Sequence, residues 1–573
     1  MKIISFLLFF LLLHCSLAHA QNLDWAKIIS GTGSITRQPQ LTADNKGNLF
    51  LVGSFNGSID FDPGPAVATQ TTQFNSDIFV ARYDANGNYV WSRNISGNSI
   101  ITASGLAADT AGQLYVCGAL NGTAVFGPGP GSATLTSSGS NDMFIAVYSA
   151  DGALLRVKRI GGTGSDYASA IALSETGDVF LAGNFSGTVD FDPSANTASL
   201  NATGLSDVFL ARFDSLLNFK NVLRAGGNNL AECTGLLLDS SQNAVLCGNF
   251  SGNVDFDPGV GTALSTSAGN TDIFLASYDT SHVLLWHQTM GSANSEYVYD
   301  LKNDAAQNIY VTGSFSATLD FDPGPATLTL NASKTDVFLA KYSPAGISLW
   351  ANRILSADLP QACKLFVDST GNVLLGGYFV NYQDLDPGPF AADHYSKGEA
   401  DLLMAKYESD GAYVWSRGFG GNYEDKITGI CQNKQGSVYI TGQFQDTLDF
   451  DPGPGTAEFI ADPFSDNNAG FIARYTDLIT GLKENDQTGF SLQVSLYPNP
   501  CADRSGLIVD HNDPEEISVQ LFDVQGQEVQ KPVYIDTKAE QVFYSVFPPQ
   551  PGLYLLSVKT KTMAKTIKLI RSE

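Results

Sequence analysis

Asp60-Phe61-Asp62-Pro63-Gly64-Pro65 is the stretch whose reading decides the fold, because it returns along the chain. Aligned on the central aromatic, its copies fall at Phe61, Phe126, Phe191, Phe256, Phe321, Leu385 and Phe450, in steps of 65 residues with one step of 64. A fixed period of this size marks a tandem repeat. One unit reads as four strands: Gln40–Ala43, then Asn48–Phe55, then Asp77–Tyr83, then Tyr89–Ile95. A long excursion carrying the Asp-Phe-Asp-Pro-Gly-Pro run separates the second strand from the third. Four-stranded antiparallel meanders in tandem predict propeller blades. The excursion accounts for a repeat longer than the 40–50 residues of common blades.

The ends of the array predict closure. Leu23-Asp24-Trp25-Ala26-Lys27-Ile28-Ile29 matches fourth strands such as Tyr89-Val90-Trp91-Ser92-Arg93-Asn94-Ile95, while the seventh unit stops after its third strand near Tyr475. Pairing the orphan strand with the incomplete unit removes two exposed sheet edges. The fold class expected is therefore all-β, a seven-bladed β-propeller closed by the N-terminal strand. The domain plan is 1–20 signal peptide, 21–476 propeller, 477–489 linker and 490–573 a separate small domain. Alternation at Ile517–Phe522 and Leu553–Val558 predicts strands of a small Ig-like β-sandwich in that last part. The signal peptide rests on Lys2, the apolar run Ile3–Leu13 and a small-residue cleavage site placing the cut between Ala20 and Gln21. No later segment is apolar enough for a transmembrane helix.

The 573-residue chain has a formal net charge of -26, which excludes a nucleic-acid partner because phosphate binding needs a basic face. Cys117, Cys233, Cys247, Cys363, Cys431 and Cys501 match no zinc spacing. Cys117 and Cys247 hold equivalent places and read as small buried residues; a Cys233–Cys247 bridge is the alternative. All five tryptophans, Trp25, Trp91, Trp286, Trp350 and Trp415, occupy one position of the fourth strand, with Arg156 and Asn221 in the other two. They read either as sugar platforms or, preferably, as packing between blades.

The last part of the chain carries Tyr497-Pro498-Asn499-Pro500, then Val519 to Gly526, then Pro551-Gly552-Leu553-Tyr554, then Lys568-Leu569-Ile570-Arg571. In order and length these resemble the C-terminal sorting domain of type IX secretion cargo. The resemblance implies that Pro498, Asn499, Pro500, Gly552, Tyr554, Lys568 and Arg571 belong to a sorting signal read by the secretion machinery. It also implies transit through the periplasm to release or to attachment at the outer-membrane surface. The array is similar to the propeller repeats, often labelled SBBP-type, of secreted bacterial proteins. That likeness implies a fold and no settled chemistry.

A third aspartate recurs before each third strand, at Asp77, Asp142, Asp207, Asp272, Asp336 and Asp401, with Gly470 aligned in the seventh unit. If the excursion folds back, the trios Asp60, Asp62, Asp77; Asp190, Asp192, Asp207; Asp255, Asp257, Asp272; and Asp320, Asp322, Asp336 offer oxygens to a hard cation, and calcium is the one cofactor they suggest. The competing reading is turn chemistry: Asp accepts backbone N–H bonds, Pro fixes φ and Gly permits positive φ. Repeat two favours the turn, keeping Asp142 but holding Val125 and Gly127 in the run. On either reading one face carries a ring of negative potential.

No enzyme motif is present. Asp84 to Trp91 has the residue types of the sialidase Asp-box, but its Gly lies four residues before Trp instead of three. His282, His287, His394 and His511 lack metal spacing, and no nucleophile elbow or phosphate loop occurs. The function expected is a binding or scaffold module with an unidentified protein or glycan ligand. The alternative is a carbohydrate-active enzyme working in the propeller channel, which one blade with unique polar residues facing that channel would mark.

Overall fold

The computed structural model describes residues 21–477, apart from 128–130, 325, 357–360, 389–390, 434–435, 452–455 and 462–467, and the strands between 492 and 571. The proposed signal peptide with Ala20, the linker beyond Asp477, and Pro498, Asn499 and Pro500 lie outside the described residues. All the regular structure described is β. The first stretch contains β1 (Gln21–Gly31), β2 (Ser34–Ala43), β3 (Leu49–Asn56), β4 (Ser58–Asp60), β5 (Thr69–Thr71), β6 (Asp77–Tyr83) and β7 (Tyr89–Gly97). Strands β2, β3, β6 and β7 form an antiparallel meander, and the same order recurs along the chain as a β-propeller arrangement.

The two middle strands explain why these segments pack as blades. Every residue from Leu49 to Phe55 is buried, as in strands covered on both faces. The tight turns come from Asp-x-x-Gly-Asn sequences. Asp84 accepts the amides of Asn86 at 2.8 Å and Asn88 at 2.9 Å, and Gly87 takes φ +74. Each inner strand carries a bulge, here between Arg37 and Gln40.

The excursion is more than surplus. It folds into the hairpin β4–β5, and β4 then pairs with β1, the outer strand of the preceding sheet, through Ser30 opposite Asp60 and Gly31 opposite Ile59. The same hand-over joins Thr123–Phe126 to β7, Thr188–Asp190 to Leu154–Gly162, Asn253–Asp255 to Phe219–Gly227 and Tyr382–Asp384 to Ser348–Ser356. Each of these five arms thereby covers a neighbour's exposed edge, whereas Thr447–Asp449 pairs only with Glu458–Ile460 and residues 318–320 only with their own hairpin partner. The aromatic at the centre of the run anchors it. Phe61 is fully buried, with its ring 4.9 Å from Phe79 and 5.7 Å from Phe55, and the Tyr83 hydroxyl donates to the Phe61 carbonyl at 2.9 Å. Tyr278 with Phe256, Tyr407 with Leu385 and Tyr475 with Phe450 repeat that bond.

Strand β1 pairs antiparallel with Ala469–Asp477 from Gln21 opposite Asp477 to Ile29 opposite Gly470. The N-terminal strand thus completes the sheet begun by Lys426–Gln432 and Ser437–Phe444. The register also corrects the seventh aspartate position. Ala469 stands opposite Phe444 as Asp77 stands opposite Phe55, so Ala469, not Gly470, is the equivalent residue.

The chain divides into two compact units, Met1–Ile479 and Thr480–Glu573. The second holds two four-stranded sheets, one ordered Leu492–Tyr497, Ser505–His511, Gln541–Val546, Val533–Lys538 and the other Glu528–Gln530, Ser518–Asp523, Gly552–Lys559, Ala564–Arg571. Leu521, Tyr554, Leu556 and Val558 are buried. The strand Gly552–Lys559 pairs with the final strand, setting Gly552 opposite Arg571 and Leu555 opposite Lys568.

Candidate functional site

Each repeat divides its aspartates between two structural tasks. Asp60 accepts the amides of Asp62 at 3.1 Å and Ala68 at 2.8 Å, closing the tip of the arm. Asp190 does the same for Asp192 and Ala198, Asp255 for Asp257 and Ala263, and Asp320 for Asp322 and Leu328. Asp62, Asp192, Asp257 and Asp322 each accept the amide two residues on, from Gly64, Ser194, Gly259 and Gly324. Ser194 fills the glycine place, and Gly64 is absent from the residues with positive φ, so the glycine serves close approach to the carboxylate instead of a left-handed turn.

The third aspartate works at the root of the arm, with partners of its own. Asp77 is fully buried and accepts from Gln73 N, Asn94 Nδ2, Ser96 Oγ and Gly97 N. Asp142, Asp207 and Asp336 instead hold Arg159, Arg224 and Arg353, and Asp272 accepts Ala268 N at 2.7 Å. Folding back the excursion therefore leaves the trios divided between tip and root. Among the described residues no group of three or more His, Cys, Asp or Glu side chains is gathered for a metal ion.

A second set of buried carboxylates was not singled out from the sequence. Asp166, Glu296 and Asp425 are fully buried and accept the amides of Gly162, Ser292 and Gly421. Burial pushes Asp166 up to about 6 and Asp425 up to about 7, and the nearby Asp142 and Asp401 carboxylates add to it. Their signal in the sequence is a carboxylate 24 residues after the third aspartate in alternate repeats.

The fourth-strand tryptophans pack between repeats. Trp91 Nε1 donates to Ala150 O at 2.9 Å, Trp286 Nε1 to Pro344 O at 3.0 Å and Trp350 Nε1 to Ser409 O at 3.1 Å, each in the turn of the next repeat. The histidines pack as well: His287 stacks on Phe256 and His394 Nε2 meets Ser416 Oγ at 2.7 Å. Cys117, Cys233, Cys247, Cys363 and Cys431 are free thiols, so the Cys233–Cys247 bridge is not formed. Cys247 stands opposite Gly235, while Cys233 stands opposite Gly248.

What remains open is the centre. Inner strands from every repeat line a cavity of about 420 Å³. The residue after each inner-strand bulge is Gln40, Gly105, Ala170, Gly235, Asp300, Lys364 or Gly429. Small side chains let neighbouring strands approach: a Cβ on Gly105 would stand 3.3 Å from Ala170 Cα, and one on Gly429 3.0 Å from Leu41 N. Gln40, Asp300 and Lys364 break this pattern, the last two side by side. Asp300 Oδ2 accepts Leu365 N at 2.8 Å from the adjacent inner strand, and Oδ1 accepts Lys302 Nζ at 2.9 Å. Burial pushes the Asp300 carboxyl up, but Lys302, Lys364 and the Leu365 amide outweigh it and hold it below the usual carboxylate range. Among the described residues, Asp300, Lys302 and Lys364 are the charged ones of the cavity wall. An alignment of the inner strands by themselves shows these departures in the sequence.

Residues 495–572 match the family described as Secretion system C-terminal sorting domain. The chain thus carries a sorting tail of type IX secretion cargo, which directs export to the cell surface or beyond. The chain is 23% identical over 545 residues to an uncharacterized WD repeat-containing protein L264 of Acanthamoeba polyphaga mimivirus, covering 80% of this chain and 38% of that protein. It is 25% identical over 388 residues to the regulatory protein FlaEY of Caulobacter vibrioides, covering 64% of this chain and 39% of that protein. The chain spans less than two fifths of the length of both relatives. Among solved structures, a fungal alcohol oxidase of the AA5 family in complex with copper aligns over 96% of this chain and 98% of its own at 10% identity, with a TM-score of 0.32 that carries no argument. No helix among the described residues is long and apolar enough to cross a membrane.

Proposed function

We propose that the chain is a seven-bladed propeller closed by its N-terminal strand, a non-catalytic binding or scaffold module that takes its ligand in the central channel. An Ig-like C-terminal sandwich engages the secretion machinery, and the cargo passes through the periplasm to the outer-membrane surface or the medium. Support for closure comes from bonds between the last and first repeats: Thr428 Oγ1 to Pro39 O at 2.6 Å, Ile35 N to Asn468 O at 2.9 Å and Tyr439 OH to Ala85 O at 3.2 Å.

The observation that carries the binding reading is the channel wall, to which every repeat contributes and which is charged at one place. Its volume falls within the roughly 300–1,000 Å³ typical of small-molecule sites. The asymmetry at Asp300 also speaks for the alternative, a carbohydrate-active enzyme. Glycoside hydrolysis, however, takes two carboxyl groups flanking the bond, one of them protonated. Asp300 is the sole carboxylate among the described wall residues and is held ionised by two lysines.

The test is a titration of the full chain with a panel of neutral and acidic oligosaccharides, each mixture then read by mass spectrometry. Retention of intact sugar supports a binding module. Shortened products would replace it with the enzyme, and absence of binding to every sugar would move the ligand search to proteins.

A further inference from the structure

Three places outside the repeat contacts were candidates for a site: the channel wall, the cleft at Asp255, Asp257 and His282, and the buried carboxylates at the roots of the arms. The cleft aspartates already serve as amide acceptors, and the root carboxylates are enclosed. The channel wall holds one lysine charge, that of Lys364, which no contact among the described residues uses.

Asp300 is fully engaged, accepting Leu301 N, Leu365 N and Lys302 Nζ. It acts as a strut between two inner strands. Lys302 shares itself between Asp300 and Leu301 O, leaving its side chain 41% exposed to the cavity. Lys364, from the next inner strand, is half-buried and has no hydrogen bond or ion pair among the described residues; its charge is felt at Asp300 without being matched there. Two lysines against one carboxylate leave one positive charge in a channel whose remaining wall, among the described residues, is neutral, inside a chain of net charge -26. A buried-side ammonium lacking a partner is a strong donor, and low-dielectric walls focus its field. Ser104, Ser169 and Thr234 bring hydroxyls to the same wall from the other repeats.

We infer that the channel recognises a carboxylate-bearing sugar, a uronate residue of an acidic oligosaccharide, with Lys364 and Lys302 holding the carboxylate and the hydroxyl-bearing wall facing the ring. Asp300 is the positioning residue, fixing Lys302 and setting a negative wall against a carboxylate that enters off-centre. This rests on the channel being the binding site and adds the chemistry of the ligand.

The test uses the full chain and three probes: a glucuronate-containing disaccharide, its neutral glucose counterpart and free glucuronate, each followed by calorimetric titration at low and high salt. Charge-assisted bonds of this kind predict that the acidic disaccharide binds about tenfold or more tightly than the neutral one, and that Lys364→Gln removes the difference. Raising salt weakens the two acidic probes and leaves the neutral one unchanged. Lys302→Gln serves as a second variant, with the thermal midpoint of each checking that the fold is intact. Equal affinity for acidic and neutral disaccharides, or unchanged affinity in a folded Lys364→Gln, overturns the inference and leaves the binding reading standing. Failure of all three probes to bind overturns the inference and moves the search for the channel's ligand to proteins. Binding of free glucuronate as tightly as the disaccharide would confine recognition to the uronate residue itself, in support of the inference.

Discussion

Gly152 lies against the face of Trp91: a Cβ on the glycine would come within 2.6 Å of the indole Cδ2, and the glycine sits at φ +82. The pair joins one repeat's outer strand to the next repeat's turn, and it recurs as Trp25 with Gly87, Trp286 with Gly346 and Trp350 with Gly411. Where the strand lacks tryptophan the turn lacks glycine. Arg156 and Asn221 are followed by Leu217 at φ 63 and His282 at φ 67, both buried. Tryptophan and glycine are one unit written in two repeats.

That pairing predicts that Gly152→Ala lowers stability by about 1–3 kcal/mol, combining a left-handed backbone strain with a clash. Trp91→Ala together with Gly152→Ala should cost less than the two added separately, because removal of the indole relieves the clash. Thermal midpoints of the three variants check this, and strict additivity would refute the coupling.

The arm aspartates predict an outcome for calcium. Asp60 and Asp62 are committed to three backbone amides, and Asp77 to its own four donors. Thermal melts in excess calcium and in EDTA should therefore coincide, since a ligand of the folded state must raise the midpoint. Asp60→Ala should instead destabilise by roughly 1–3 kcal/mol in both buffers by stranding the amides of Asp62 and Ala68. A clear rise with calcium would make these rings metal sites.

Much of this architecture was legible in the sequence because repetition averages out local ambiguity. One Asn-Leu-Phe-Leu-Val-Gly-Ser-Phe segment is a weak strand signal; seven copies in register are a strong one. The third strand at Asp77–Tyr83 was read to the residue. The arms were harder, since a three-residue strand such as Ser58–Asp60 has no periodicity to detect and its partner belongs to the preceding repeat. The channel charges escaped for the opposite reason: Asp300 and Lys364 are departures from a small-residue pattern, and averaging over repeats hides the positions where single repeats differ.

The buried carboxylates predict a pH dependence of definite sign. Asp425 titrates near 7 and Asp166 near 6 in the folded chain, against an ordinary value of 3.8. The folded state therefore holds more protons between these limits, so their contribution to stability is present at acid pH and is lost as pH rises through 6 to 7. His282 works the other way, its imidazole held down to about 4 by burial, so stability is lost as pH falls from its usual value of 6.5 towards 4. Melts from pH 8 to pH 5 should show the midpoint rising on acidification, with a flatter profile in Asp425→Asn. An unchanged profile in that variant would assign the dependence to other groups.

The tail predicts a change of place more than a change of fold. Its final strand, Ala564–Arg571, pairs along the whole length of Gly552–Lys559, so removing it strips one edge from the sheet that holds Leu521, Leu556 and Val558. The first compact unit ends at Ile479 and has its sheets complete without that strand. Deleting residues 564–573 in a bacterium with type IX secretion should leave the propeller folded but retained in the periplasm, whereas the full chain reaches the surface or medium. Fractionation with an antibody to the propeller, and a thermal melt of the retained protein, separate these effects. Truncated protein reaching the surface with full yield would place the sorting information upstream, towards Tyr497. Truncated protein that is degraded would show the last strand to be needed for stability before it is needed for recognition. Lys568→Glu with Arg571→Glu tests the basic end apart from the strand: export falling with the sheet intact would assign recognition to charge.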